Sequence, residues 1–146
     1  MKQLSRFFNL TAGERRLLAS ALLYLIVARV GLWVLPMLVL QRRLSKMPVE
    51  RDRMRGSGQY SSEQIARAIR AVGRYVPGTG NCLVQSLTTQ TMLARRGSPA
   101  RLRIGVIKDE NGRLRAHAWV ECEGRIIMGG AGASQYTALP YWEARP

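Results

Sequence analysis

A long apolar segment near the amino terminus restricts what this chain can fold into. From Leu17 to Leu40 the only charged residue is Arg29, so the segment is long enough to span a bilayer. In a membrane span, however, Arg29 would lie at mid-membrane, Gly31 offers a hinge, and Pro36 would break the second half. We therefore favour two shorter helices that pack into a small helical subdomain or bind a partner.

Basic residues flank this segment on both sides and keep membrane-surface contact open as an alternative. Arg15 and Arg16 precede it, and Arg42, Arg43 and Lys46 follow it. Across the chain, 23 lysines and arginines stand against 9 acidic residues, a formal net charge of +14. Such a charge attracts nucleic acid, anionic lipid or acidic peptides. Arginines spread over a solvated surface by coding bias are the simpler interpretation, and we expect no nucleic-acid partner.

The 146 residues suffice for one globular domain with a small appendage. A change to charged, glycine-rich sequence predicts a linker at residues 47–60, between an N-terminal helical subdomain (1–46) and a core (61–146). Two cysteines do not make a disulfide framework, and no cleavable signal peptide is evident. We therefore expect a reducing, cytoplasmic compartment, with membrane association through the N-terminal helices as an option.

In the core, apolar residues first recur with the spacing of a helix and then with that of a strand. Ser61 and Gln64 form a capping box before one amphipathic helix. The loop PGTGN leads into a second helix, which begins at Cys82 and ends before Gly97. Beyond Pro99 the apolar period switches to two, which predicts a three-stranded antiparallel meander. This order predicts an α+β fold in which the Cys82 helix packs on a small sheet.

The chain has one histidine, His117, in the middle of the second predicted strand. Strand parity places it on one face with Trp119 and Glu121, whereas Cys122 points to the other face. A lone histidine in a strand is more often a packing or surface residue. Cys82 can meet this histidine if its helix lies across the meander, which makes the pair a candidate catalytic site.

A cysteine in the first turn of a helix is chemically useful. The helix dipole and the free first-turn N–H groups favour the thiolate, and the same N–H groups can hold an oxyanion. A nearby imidazole takes the thiol proton and later protonates the leaving amine. We predict that Cys82 is a nucleophile and His117 its base, against the alternative of an inert apolar cysteine that anchors its helix.

These residues also carry a family resemblance. The run NCLVQSLTTQTMLARRGSPARLRIGV, followed by AHAWVECEGRII, resembles the lasso B proteins, transglutaminase-like cysteine peptidases that remove the leader in lasso-peptide biosynthesis. The segment RFFNLTAGERRLLASALLYLIVARVGL is similar to the helical N-terminal part of that family. The resemblance implies a papain/transglutaminase-like core with a Cys-His-Asp triad, in which Cys82 and His117 match the first two members.

The acid of that triad has no match in this chain. In the family it is an aspartate near the end of the strand after the histidine, and a turn at residues 123–124 would align that position with Gly130. The segment IIMGGAGASQY contains no carboxylate. Glu121 from the histidine's own face, or Ser134 or Gln135 from the following loop, is then left to orient the ring. Without such a group the protein would be weak alone or an inactive copy.

Two further residues near the pair have alternative interpretations. Trp119 is a candidate for substrate binding, although we prefer packing on the sheet face. Asn81 is a candidate oxyanion donor, although a turn-former is the simpler interpretation. The chain has no P-loop, CxxC pair, histidine cluster or GxGxxG motif, so we expect neither a metal nor a cofactor.

Three functional hypotheses follow. The first is a cysteine peptidase that cleaves a ribosomally made precursor peptide between leader and core. The resemblance then implies three partners: the leader region of the precursor, a separate leader-recognition protein and an ATP-dependent macrolactam cyclase. The second is a weakly active or inactive basic module that binds a peptide, a membrane surface or nucleic acid. The third is an acyltransferase or amidase that shares the acyl-enzyme intermediate.

Overall fold

The computed structural model describes residues 10–46 and 60–139. Within these ranges, helices precede an antiparallel sheet, which confirms the α+β prediction. The helices are α1 (Ala12–Val34), α2 (Met37–Ser45), α3 (Ser62–Gly73) and α4 (Cys82–Ala94). The strands are β1 (Ala100–Lys108), β2 (Leu114–Cys122), β3 (Arg125–Met128) and β4 (Thr137–Ala138), and a 3-10 helix (Ala133–Gln135) precedes β4. The predicted linker lies outside the described residues except for Tyr60.

Capping boxes fix the starts of α1 and α3. Thr11 Oγ1 accepts the N–H of Glu14 at 3.2 Å, and the Glu14 carboxylate accepts the N–H of Thr11 at 2.8 Å. Ser61 and Gln64 make the same reciprocal pair of bonds at 3.2 and 2.8 Å. Each box satisfies N–H groups that the helix itself leaves without an acceptor, so short sequence signals determine where both helices begin.

The break in the apolar segment lies at Pro36, and the predicted hinge at Gly31 was wrong. Helix α1 continues to Val34, and α2 starts at Met37. The break falls there because proline has no N–H to bond within a helix, and its ring clashes with the preceding turn. Gly31 instead makes room for α2, since a Cβ at this position would lie 2.6 Å from Leu40 Cδ1.

Helix α1 packs against α3 and α4 and shares one hydrophobic core with them. Its buried residues recur every three or four positions: Leu17, Ala21, Leu25 and Ala28. Helix α2 is joined to α4 by a buried hydrogen bond, in which Gln41 Nε2 donates to Gln90 Oε1 at 3.3 Å. The domain boundary at residue 46 stays a prediction, but the two sides of it have one core in common.

The sheet has the order β3-β2-β1-β4. The predicted meander is confirmed, and its second turn has positive φ angles of 51° at Glu123 and 77° at Gly124. Strand β4, which the sequence did not indicate, pairs with the other edge of β1. The helices pack on the sheet face that carries Leu102, Ala118 and Val120. The opposite face is therefore left to His117 and its neighbours.

Candidate functional site

His117 is held in one orientation by a backbone carbonyl group. Its Nε2 lies 2.7 Å from the carbonyl oxygen of Gly129. Because a carbonyl oxygen can only accept a hydrogen bond, Nε2 carries the proton and donates it. The Nδ1 atom of the neutral ring is then left as the basic nitrogen. The main chain therefore selects the tautomer that can accept a proton through Nδ1.

Two aromatic rings lie near the imidazole of His117, Trp119 stacked on it and Tyr136 tilted against it. The ring centroid of Trp119 is 6.2 Å away and that of Tyr136 is 5.1 Å away. Gly105, which pairs with His117 across β1 and β2, makes room for these rings. A Cβ at Gly105 would lie 2.8 Å both from the Trp119 ring and from Tyr136 Cβ. Neither Tyr136 nor Gly105 was predicted from the sequence, although a glycine inside a strand often signals such a close approach.

The sequence predicted a residue close to Gly130 opposite His117, and the structure places the carbonyl of the neighbouring Gly129 beside the ring. The β2–β3 pairing that leads to this segment is irregular. Val120 pairs with Met128, one residue later than a regular ladder from the turn would place it. A bulge of this kind adds one residue to one strand and bends it. Strand β3 then ends at Met128, and the carbonyl of Gly129 occupies the position beside the histidine.

Gly129 and Gly130 differ in the room that they leave for a side chain. Gly129 has a φ of 74°, and a Cβ there would lie 2.5 Å from the carbonyl oxygen of Ala118. Gly130 is exposed, and a Cβ there would lie 3.3 Å from Ile126 with no contact to the histidine within 4 Å. The group that orients the ring is therefore the main chain at Gly129, and the absent acid has no open place there.

Glu121 does not bond to His117 but supports a ring next to it. Its Oε1 accepts from Trp119 Nε1 at 3.0 Å, and its Oε2 lies 3.3 Å from Arg103 Nε. In the described part of the chain, residues 134–135 make no hydrogen bond to the imidazole either. Trp119 is only 5% exposed, which supports packing in the sheet and leaves almost no surface for a substrate. Glu121 therefore holds the Trp119 ring, which lies near the imidazole.

Cys82 is the first residue of α4, as the sequence predicted, and it is half-buried. The preceding residue, Asn81, is the N-cap, and its Oδ1 accepts the N–H of Leu83 at 2.9 Å. The thiol of Cys82 donates to the same oxygen over 3.6 Å. The structural role of Asn81 is thus that of a helix N-cap, and its role as an oxyanion donor stays a prediction.

The start of α4 contacts the strand of His117, but the two proposed catalytic side chains are not bonded. Ser86, one turn after Cys82, donates its Oγ to the carbonyl of Ala118 at 3.1 Å. No hydrogen bond joins Cys82 Sγ to the imidazole among the residues that the structure describes. Because α4 packs on the face of Ala118 and Val120, the thiol and the ring would meet around the edge of β2, where β3 has ended.

Cys122 lies in the core, on the sheet face away from the histidine, as strand parity predicted. Its side chain is 5% exposed and belongs to the hydrophobic cluster under the helices. Burial raises the pKa of the Cys122 thiol, and the nearby carboxylates of Glu123 and Glu63 raise that pKa further. These surroundings disfavour the thiolate form of Cys122.

In residues 10–46 and 60–139, no three histidine, cysteine or acidic side chains form a group that could hold a metal ion.

A cleft of about 700 Å³ lies beside the loop that precedes Cys82. One wall comes from the junction of α1 and α2, and the other comes from that loop and the first turn of α4. Arg29, the only charge of the apolar segment, lines the cleft. The cleft places open space next to the residues that flank the candidate nucleophile.

The comparison with known families agrees with this architecture. A family model described as the transglutaminase-like superfamily matches residues 22–140, which include most of α1 and the whole sheet. The chain therefore belongs to the transglutaminase-like superfamily, which includes cysteine peptidases. No curated protein and no solved structure matches the chain.

Proposed function

We propose that this protein is a cysteine peptidase in which Cys82 is the nucleophile and His117 the general base. The bond between His117 Nε2 and the Gly129 carbonyl supports this proposal most directly, because it leaves Nδ1 free to accept the thiol proton. The position of Cys82 at the start of α4 gives further support, since the helix dipole and the first-turn N–H groups favour a thiolate.

In the proposed reaction, the thiolate of Cys82 attacks the scissile carbonyl carbon, and the oxyanion forms beside the first-turn N–H groups of α4. The imidazolium of His117 then protonates the leaving amine as the C–N bond breaks, which leaves a thioester on Cys82. Nδ1 next takes a proton from water, whose oxygen attacks the thioester. The acid product departs, and the proton returns to the sulfur.

A carbonyl group is a weaker substitute for the triad acid than a carboxylate would be. It fixes the tautomer and the direction of the His117 ring, but it carries no charge to stabilise the imidazolium. We therefore propose an active site that is competent but slow, and that gains from a partner which brings the substrate close.

For the substrate, we propose the bond between leader and core of a lasso precursor peptide. The support is the resemblance of NCLVQSL and AHAWVE, together with the membership of a superfamily that includes cysteine peptidases. A separate leader-recognition protein and an ATP-dependent macrolactam cyclase belong to the same proposal. An acyltransferase or amidase would form the same thioester and would differ only in the acceptor.

Mass spectrometry of a candidate precursor, incubated with the protein and with or without the recognition protein, tests this proposal. We expect release of the free leader and core, faster when the recognition protein is present. Added hydroxylamine should trap part of the leader as its C-terminal hydroxamate, since it attacks the thioester in place of water. An uncleaved precursor under all these conditions would exclude leader cleavage by this protein.

The outer face of α1 and α2 supports a second proposal, contact with an anionic membrane surface. Large apolar side chains are exposed there: Leu22, Leu23, Ile26, Val27, Val30, Trp33, Val34, Leu38 and Val39. Trp33 is 83% exposed, and no acidic residue occurs between Glu14 and Glu50. Exposed arginines at both ends of this surface give it the charge that anionic lipid attracts.

Helix α1 is long and apolar enough to cross a membrane by length and composition. Its other face, however, lies in the core through residues such as Ala21 and Leu25. A bilayer span would expose these contacts to lipid and separate α1 from α3 and α4. We therefore propose that the folded protein lies on a membrane surface through the exposed face of α1 and α2, with α1 kept in the core rather than across the bilayer.

Sedimentation with phosphatidylcholine vesicles, with and without phosphatidylserine, tests the membrane proposal. We expect binding that needs phosphatidylserine, decreases with salt and is lost in Trp33→Ser. Tyr75→Ser, at an exposed aromatic residue elsewhere, should bind like the wild type. If the protein binds neither kind of vesicle and forms a stable dimer, this face is instead the contact surface with a second copy of the chain.

A further inference from the structure

Arg29 has no role in the reaction proposed above, although its position in the sequence is unusual. It is the only charged residue between Leu17 and Leu40. Within the described ranges no carboxylate forms an ion pair with it. Its side chain is exposed and is therefore free to interact with a ligand.

Arg29 lines the cleft beside the loop that precedes Cys82. Leu32, Pro36 and Met37 form an aliphatic wall at the junction of α1 and α2. Asn81 and Leu83, the two neighbours of Cys82 in the sequence, line the cleft as well. The cleft therefore combines an apolar surface with one cation, directly beside the proposed nucleophile.

The loop before Cys82 is shaped to accommodate the guanidinium group. Gly78 has a φ of 76°, and a Cβ there would lie 2.6 Å from Arg29 Nε. Any other residue at position 78 would thus be strained and would displace the arginine. Guanidinium groups bind carboxylates through two parallel N–H donors, and an adjacent apolar surface strengthens such a pair by excluding water.

We propose that this cleft is a substrate subsite that takes an acidic residue next to an aliphatic one in an extended peptide. Arg29 pairs with the carboxylate, and the wall at the α1–α2 junction contacts the aliphatic side chain. The inference rests on the proposed role of Cys82, because that role makes the neighbouring cleft a place where substrate is bound. It predicts a preference for peptides with an acidic residue close to the scissile bond.

Alkylation of Cys82 by iodoacetate, an anion, and by neutral iodoacetamide tests the charge in this cleft. The readout is the rate of Cys82 alkylation by iodoacetate divided by the rate of its alkylation by iodoacetamide. Both rates are measured by peptide mass mapping at low salt. We expect the ratio to fall about threefold in Arg29→Gln, which is the effect that a unit charge at about 6 Å would have on a second charge in water. Arg29→Lys should keep most of the ratio. Arg67→Gln, which removes an exposed charge on α3, is the matched control and should keep all of it.

Protection experiments test the peptide preference with the same variants. The probes are acetyl-Leu-Glu-amide and acetyl-Leu-Gln-amide, together with the dipeptides of reversed order, each added before iodoacetamide. In the wild type, the glutamate probe of at least one order should protect Cys82 better than its glutamine counterpart. Arg29→Gln should remove that difference, and Arg67→Gln should preserve it.

The outcomes separate this inference from the proposed function. A rate ratio and a protection pattern that stay unchanged in a folded Arg29→Gln protein overturn the subsite, however reactive Cys82 is. Slow alkylation of Cys82 by iodoacetamide, equal to that of Cys122, overturns the nucleophile instead. Circular dichroism and the iodoacetamide rate itself show whether the Arg29 variants are folded.

Discussion

The two cysteines of this chain lie in different surroundings. Cys82 begins a helix, is half-buried and lies next to an open cleft. Cys122 ends a strand, faces the core and has two carboxylates, Glu63 and Glu123, that oppose its ionisation. In our proposal, this difference in secondary-structure position, burial and nearby charge is the reason that Cys82, and not Cys122, is the nucleophile.

Replacing each of the two thiols in turn tests this contrast. The loss of Cys82 should have the largest effect of the changes proposed here. Cys82→Ala should lower turnover by at least about 10³-fold, because no other group can form the thioester. Cys122→Ser should keep wild-type turnover per folded molecule, although a buried hydroxyl there should destabilise the protein by about 1–3 kcal/mol. Precursor cleavage measures the first effect, and thermal unfolding measures the second. An inactive but folded Cys122→Ser protein would show that the wrong thiol was chosen.

Removal of the base should produce the next largest effect. His117→Ala should lower turnover by about 10²–10⁴-fold, since no other histidine exists in the chain to take the proton. The pH profile of Cys82 alkylation gives an independent readout. If the thiol and the ring meet around the edge of β2, the profile of His117→Ala should differ from that of the wild type. Identical profiles would place the two groups out of reach of each other.

Thiol reactivity in the unmodified protein compares the two cysteines directly. At pH 8, iodoacetamide should modify Cys82 at least about tenfold faster than Cys122. The raised pKa of Cys122 lowers its thiolate fraction below that of an ordinary thiol, and access in the core is poor. Because the folded state favours the neutral thiol, the stability from this shift is present below the pKa of the unfolded-state thiol and is lost as the pH rises through the folded-state pKa. Equal alkylation rates at Cys82 and Cys122 would show that the two thiols do not differ in reactivity.

The two adjacent glycines after β3 provide a finer test of what orients the histidine. Gly129→Ala should destabilise the fold by about 1–3 kcal/mol and lower turnover, because its φ of 74° and its contact with Ala118 leave no room for a Cβ. Gly130→Ala should have little effect on either quantity. Gly130→Asp should also leave turnover unchanged, since the acid would not reach the position of the Gly129 carbonyl. A faster Gly130→Asp enzyme would contradict the arrangement around His117.

Much of the local architecture could be predicted because it depends on residues close together in the chain. Capping residues, the helix start at Cys82 and the turn at residues 123–124 follow from neighbours within four positions. The face of Cys122 follows from strand parity. The position of the helix break was predicted less well, because Gly31 and Pro36 both signal a break, and only packing against Leu40 shows what the glycine is for.

The sequence by itself determined the type and order of the elements from α1 to β3 and the chemistry that they carry: a cysteine at a helix start, one histidine in a strand and no matching acid. Only the tertiary structure decided which group holds the histidine, what lies next to the nucleophile and which helices share a core. The physical reason is distance along the chain. Side-chain pattern and capping act within one or two turns. A strand bulge, a carbonyl beside a ring and an arginine against a glycine arise when remote segments compete for the same space.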